Sequence, residues 1–285
     1  MRSNFLFYFF MFNILLNIKL IAQNSNPKQY QIQKLNSAAK IDAKLTDDVW
    51  GKLPVAKGFT QFEPGFNIPA TEDRKTEVKL FYNDKGIYIS AILYDNPELV
   101  MNQITQRDDF GQTDFFRVVI NPNNDAQNDT EFIVFSSGTQ ADALSSPSLG
   151  RDFGWNAVWE SAVKHTDKGW QLEMMIPYRS LRFPKNKIQT WGIQFRRFFR
   201  RERSEYAWNP INPTKGYSGI YHGELIGIKD LEPPLRLNLF PFTTAIGSLE
   251  GDETETDFKL GMDVKYGITD NVTLDATLIP DFSQA

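Results

Sequence analysis

Few side chains in this sequence have the types and spacing needed for chemistry. Arg107, Asp108, Asp109 and Asp114 gather one guanidinium and three carboxylates in a single polar stretch. Trp155 lies in Arg151-Asp152-Phe153-Gly154-Trp155, a turn-rich segment in which an indole need not enter the core. Trp159 follows four residues later at the start of an expected strand. It shares a face there with Ser161 and Val163, an arrangement that favours core packing, yet it stays a binding candidate beside Trp155. Arg196, Arg197, Arg200, Arg201 and Arg203 form the largest basic cluster. Two readings of it stand: bidentate capture of an acidic group, or pairing with the chain's own acids. A flat aromatic face beside paired donors and acceptors suits recognition rather than bond breaking.

Catalysis has weak support. There is no serine nucleophile elbow, phosphate loop or HExxH motif. Two carboxylates suitably spaced could hydrolyse a glycoside, but no pair stands out among 35 acids. The chain has no cysteine, which removes disulfides, thiol nucleophiles and thiolate metal sites. Its two histidines, His165 and His222, are far apart, so a multi-histidine centre is excluded. Asn123, Asn124, Asp125 and Asp129 carry oxygen ligands of the kind calcium takes. They lack the spacing of a calcium loop, and a structural calcium is left open as the one cofactor to consider. The formal charge is −4, which disfavours nucleic-acid binding, because that affinity comes largely from neutralising phosphates.

The elements that must position these groups read as all-β. Thr76–Tyr82 and Gly86–Tyr94 read as two strands joined by Asn83-Asp84-Lys85, a hairpin signal. Further strands are predicted at Phe115–Ile120, Glu131–Ser136, Ala157–His165, Gly169–Pro177, Trp191–Arg200 and Glu205–Trp208. Short strands separated by Asn, Asp, Gly and Pro clusters favour a β-sandwich of immunoglobulin-like or jelly-roll type. Only short helices are expected, at Asp47–Lys52 and Tyr178–Leu181, with Trp50 directed into the core.

Both ends suggest export. Arg2, the apolar run Phe5–Leu16 and a small residue at Ala22 read as a signal peptide over residues 1–22. Its loss would leave 29 basic and 35 acidic residues, a charge of −6. After Leu231–Pro234, the last part of the chain alternates strictly. Phe258, Leu260, Met262, Val264 and Tyr266 lie on one side, with Asp257, Lys259, Gly261, Asp263 and Lys265 on the other. Val272, Leu274, Ala276 and Leu278 resume the pattern beyond Gly267–Asn271. Such strands suit an outer-membrane β-barrel, which needs at least about eight. Residues 235–285 are therefore expected to begin a barrel, with Ser248–Thr256 as a loop, and the chain to be an N-terminal piece of a longer protein.

The segment Lys40-Ile41-Asp42-Ala43-Lys44-Leu45-Thr46-Asp47-Asp48-Val49-Trp50 resembles the opening of family 9 carbohydrate-binding modules. The later order is similar too: the hairpin at 76–94, Arg107-Asp108-Asp109 leading to Asp114-Phe115-Phe116, Trp155 to Trp159, and Gly169-Trp170 to Ile176-Pro177. The wider layout, with Trp191–Arg201 and the stretch Asp263–Gln284, looks like a family of large Gram-negative outer-membrane proteins in which such a module precedes a barrel. The resemblance implies a carbohydrate-binding sandwich over residues 23–230, with Trp155 and Trp159 as ring platforms and Arg107, Asp108 and Asp114 on sugar hydroxyls. It implies a poly- or oligosaccharide partner, a link to polysaccharide breakdown, and an outer-membrane location with the sandwich in the periplasm or barrel mouth. The alternative is a barrel transport or assembly protein whose sandwich has lost its sugar and serves as a plug or docking domain. A buried Trp155 without a cleft would favour that alternative.

Overall fold

The computed structural model describes residues 26–235, 237–250, 253–267 and 272–278. The expected signal peptide and most of the turn at Gly267–Asn271 lie outside these residues. Two sheets stack face to face. The larger runs in the order Gly150–Asp152, Gln140–Ser146, Asp129–Phe135, Phe115–Asn121, Ile188–Phe199, Ser204–Ala207, Thr60–Glu63, Ile68–Pro69. Gly223–Lys229 also pairs with Ile188–Phe199 and carries Gln29–Gln31 beside it in parallel. The smaller runs Glu160–Thr166, Gly169–Pro177, Gly86–Tyr94, Thr76–Tyr82, Gln33–Lys34.

The sheets meet because alternate residues on each are large and apolar. Phe116, Val118, Ile120, Phe132, Val134 and Phe195 from one sheet pack into one buried cluster with Val78, Leu80, Ile89, Leu93, Leu172 and Met174 from the other. The predicted hairpin forms with its expected ends, Thr76–Tyr82 against Gly86–Tyr94. The predicted strand at Ala157–His165 begins later, at Glu160. Both short helices are single 3-10 turns, Asp48–Trp50 and Tyr178–Ser180. Trp50 is buried against Phe81 and donates its indole N–H to Glu173 Oε1 at 2.8 Å.

Sequence reading missed Gln140–Ser146 and Gly150–Asp152. The first reads Gln-Ala-Asp-Ala-Leu-Ser-Ser and lacks β-branched and aromatic residues. It is a strand because Asp129–Phe135 offers it a complete hydrogen-bonding edge.

A separate three-stranded antiparallel sheet joins Leu237–Glu250, Glu253–Gly267 and Thr273–Leu278. Its register gathers Leu237, Tyr266 and Leu274 in one row, then Leu239, Val264 and Ala276, then Pro241, Met262 and Leu278. Pairing continues from Gly247↔Thr256 to Glu250↔Glu253, so the loop expected at Ser248–Thr256 is largely strand. The sheet is open, and the described residues contain no closed barrel.

Candidate functional site

One side of the sandwich is closed by the segment Phe153–Trp159, which crosses from Gly150–Asp152 in the larger sheet to Glu160–Thr166 in the smaller. Asp142 fastens it. This carboxylate comes from the strand that sequence reading missed and is completely buried. Its Oδ1 accepts the Ala157 N–H at 2.7 Å, and its Oδ2 accepts Trp159 Nε1–H at 3.0 Å. The Arg107 guanidinium donates to the same Oδ2 from the loop before Phe115. Arg107 also donates to Gln140 Oε1 at 2.8 Å and to the Ala157 carbonyl at 3.0 Å. Asp108, held at φ 66°, accepts the Asp142 N–H at 3.1 Å.

The candidates Arg107, Asp108 and Trp159 therefore converge on one buried carboxylate whose importance the sequence did not signal. Trp159 is buried, with its ring edge-on to Phe132 at 5.4 Å. Trp155 also meets Phe132 edge-on, at 6.3 Å between ring centres, and stays partly buried. Its remaining surface lines a cavity of about 760 Å³ together with Asn156, Arg179, Ser180 and Arg182. Leu237 and Lys265 of the three-stranded sheet form part of the opposite wall.

Asp114 sits elsewhere. It is buried, accepts the Arg200 N–H at 2.7 Å, and lies outside the cavity lining. Burial pushes its carboxyl up to about 6, against the pull of the Arg200 amide and of Arg197. Asp114 thus has the contacts of a structural carboxylate rather than of one facing the cavity.

The basic cluster resolves toward internal pairing. Arg201 forms two 2.8 Å bonds to the carboxylate of Asp95, and Arg197 lies 3.5 Å from the same group with its guanidinium 4.0 Å over Phe199. Arg196 lies beside Glu205, and Arg200 donates to Gln112. At Asn121–Asp129, the carboxylate of Asp129 is met by Asn121 at 3.0 Å, Tyr217 at 2.8 Å and His222 at 3.0 Å. The amide and phenol are donors where a cation would need lone pairs, so these oxygens are already engaged by the protein. The described residues contain no group of His, Asp or Glu arranged to hold a metal.

Comparison with known proteins agrees with this architecture. Residues 41–205 match the family described as carbohydrate family 9 binding domain-like, and residues 233–285 match a domain of unknown function, DUF5916. A family 9 carbohydrate-binding module from Caldicellulosiruptor kristjanssonii, solved with cellotriose, superposes with a TM-score of 0.52 at 17% identity, covering 70% of this chain and 93% of that one. The same organism's module solved with glucose gives 0.51 at 18% identity, covering 73% and 100%. A putative carbohydrate-binding protein from Bacteroides uniformis gives 0.56 at 10% identity, covering 70% and 99%. No curated protein matches the chain. At these identities the solved structures establish a shared fold. The family match spans more than half of the chain, and this protein belongs to the carbohydrate family 9 binding domain-like family.

Proposed function

We propose that the sandwich binds a carbohydrate chain in the cavity beside Trp155, with the indole as the ring-stacking platform. The carrying observation is the placement of that indole: anchored on Phe132, partly exposed, and facing a polar-walled cavity of about 760 Å³. An aromatic body with an apolar face and a wet edge suits a sugar ring, whose faces are C–H and whose rim is hydroxyl. The related modules solved with cellotriose and glucose support the ligand class. In this reading Asp142, Arg107, Asp108 and Trp159 hold the platform's backbone, and Asn156 and Ser180 meet hydroxyls. The role is capture of a polysaccharide for breakdown by other proteins.

Isothermal titration of the full chain against cello-, xylo- and manno-oligosaccharides tests it. Removing the exposed indole face, roughly 80 Å² of apolar contact, costs about 2 kcal/mol, or about thirtyfold in affinity. Trp155→Ala binding every ligand as tightly as wild type would sink the site.

A second reading concerns the three-stranded sheet, which we propose to be the start of an outer-membrane barrel. Leu237, Leu239, Pro241, Val264, Tyr266, Leu274 and Leu278 make one of its faces largely apolar, with Thr243 interrupting it. Phe258 and Leu260 on that face are 74% and 70% exposed. A strand spanning a bilayer needs about 9–11 residues, and two of these have 14 and 15. Signal-directed export and a periplasmic or barrel-mouth sandwich complete the proposal. Fractionation of cells producing the protein from its native gene decides it: recovery with the outer membrane is expected, and a soluble periplasmic protein would refute it.

A further inference from the structure

Arg179 and Arg182 differ from most of the arginines in the two sheets and their loops. Arg74, Arg107, Arg151, Arg197 and Arg201 each pair with an acid of this chain. Among the described residues, neither Arg179 nor Arg182 has an acidic partner or a hydrogen bond, yet both line the Trp155 cavity. Their direction is fixed by their neighbours. Tyr178, Leu181 and Phe183 are buried. Tyr178 donates its hydroxyl to the Asn83 carbonyl at 2.7 Å, and the Leu181 N–H closes the turn on the Tyr178 carbonyl at 3.0 Å. With those residues facing inward, Arg179 and Arg182 project from an anchored turn into the cavity.

The charge around them is unbalanced. Among the described residues, the cavity lining contains one acid, Asp275, and Lys265 lies 3.7 Å from it. Two guanidinium groups without acidic partners among the described residues remain beside a partly exposed indole, in a chain whose overall charge is −4. A guanidinium can donate to a neutral hydroxyl, but two of them without acidic partners also leave net positive charge for a ligand to meet. Guanidinium groups match carboxylates with two parallel N–H···O bonds.

We propose that the ligand of this cavity is an acidic sugar chain, a uronate-containing polysaccharide, whose carboxylates engage Arg179 and Arg182 while one ring packs on Trp155. The inference rests on the carbohydrate-binding reading above and adds the chemical class of the ligand.

The test compares hexagalacturonate and hexamannuronate with their fully methyl-esterified forms, which keep the rings and remove the charge. The full chain is titrated with each, alongside a neutral cello-oligosaccharide and inorganic phosphate. At low salt at least one acidic hexamer should bind about tenfold or more tighter than its ester. At about 0.5 M salt, where the screening length is only a few ångströms, that advantage should largely vanish. The double substitution Arg179→Gln/Arg182→Gln should erase the preference, bringing binding of the acid form down to that of its ester. Both side chains are exposed, so an unaltered melting curve is expected to show an intact fold. Equal binding of acid and ester forms would overturn this inference while the carbohydrate reading stands. Phosphate binding as tight as the hexamer would overturn it in favour of a simple anion site. Absence of binding by every sugar would remove the underlying reading and this one with it.

Discussion

Replacing Asp142 with asparagine tests whether one buried carboxylate organises the candidate site. The side chain is fully buried and serves three donors: the Ala157 amide, the Trp159 indole and the Arg107 guanidinium. Asparagine has nearly the same shape but only one acceptor oxygen, so its NH2 must face at least one of those donors. A buried donor left unmet costs about 1–3 kcal/mol. Loss of the ion pair adds about 1 kcal/mol or less, because the Arg107 side chain is 36% exposed and solvent screens it. Asp142→Asn should therefore destabilise the sandwich by about 1–4 kcal/mol. Urea denaturation followed by far-ultraviolet circular dichroism reads this as a lowered midpoint with an unchanged slope. Because the loosened segment carries Trp155, ligand affinity should fall with stability, even though Asp142 itself does not line the cavity. A midpoint loss below about 0.5 kcal/mol, within the range of ordinary surface substitutions, would show that Asp142 is no keystone.

Trp50→Ala should destabilise by about 3–5 kcal/mol, since it empties a large core site and strands Glu173 Oε1; an unchanged denaturation midpoint would mean the opening segment is not docked. Asp114 makes a pH-dependent prediction. Burial raises its folded pKa from 3.8 to about 6, so its contribution is fully present below the unfolded value and is lost as pH rises through about 6. Asp114→Asn should accordingly gain up to about 3 kcal/mol over wild type at pH 8 and little at pH 4; an equal difference at both would refute the assignment. Gly169 has φ +127°, and a Cβ there would lie 2.3 Å from the Leu93 carbonyl oxygen. Gly169→Ala should cost more than about 1 kcal/mol in thermal unfolding, and a neutral effect would contradict the register of the Gly86–Tyr94 and Gly169–Pro177 strands.

Local pattern in the sequence determined the parts whose physics is local. The turn residues Asn83-Asp84-Lys85 marked the hairpin at 76–94, and alternation of apolar and polar residues marked the strands beyond Leu235, because side chains on a strand point alternately to opposite sides. Order of motifs carried the family. Trp155 was legible as a platform candidate from its turn-rich surroundings, since a segment full of Gly and Asp rarely enters a core. The tertiary structure decided what depends on a partner distant in the chain. Gln140–Ser146 has no strong strand preference and is a strand only because Asp129–Phe135 pairs with it. That pairing brings Asp142 under Arg107 and Trp159, 35 and 17 residues away in sequence. Asp114 reads as an exposed loop acid in sequence, but its neighbours bury it. Whether an arginine is neutralised or left free also depends on what the fold sets beside it. Asp95 meets Arg197 and Arg201 across more than a hundred residues, whereas Arg179 and Arg182 meet no acid among the described residues and face the cavity with Trp155.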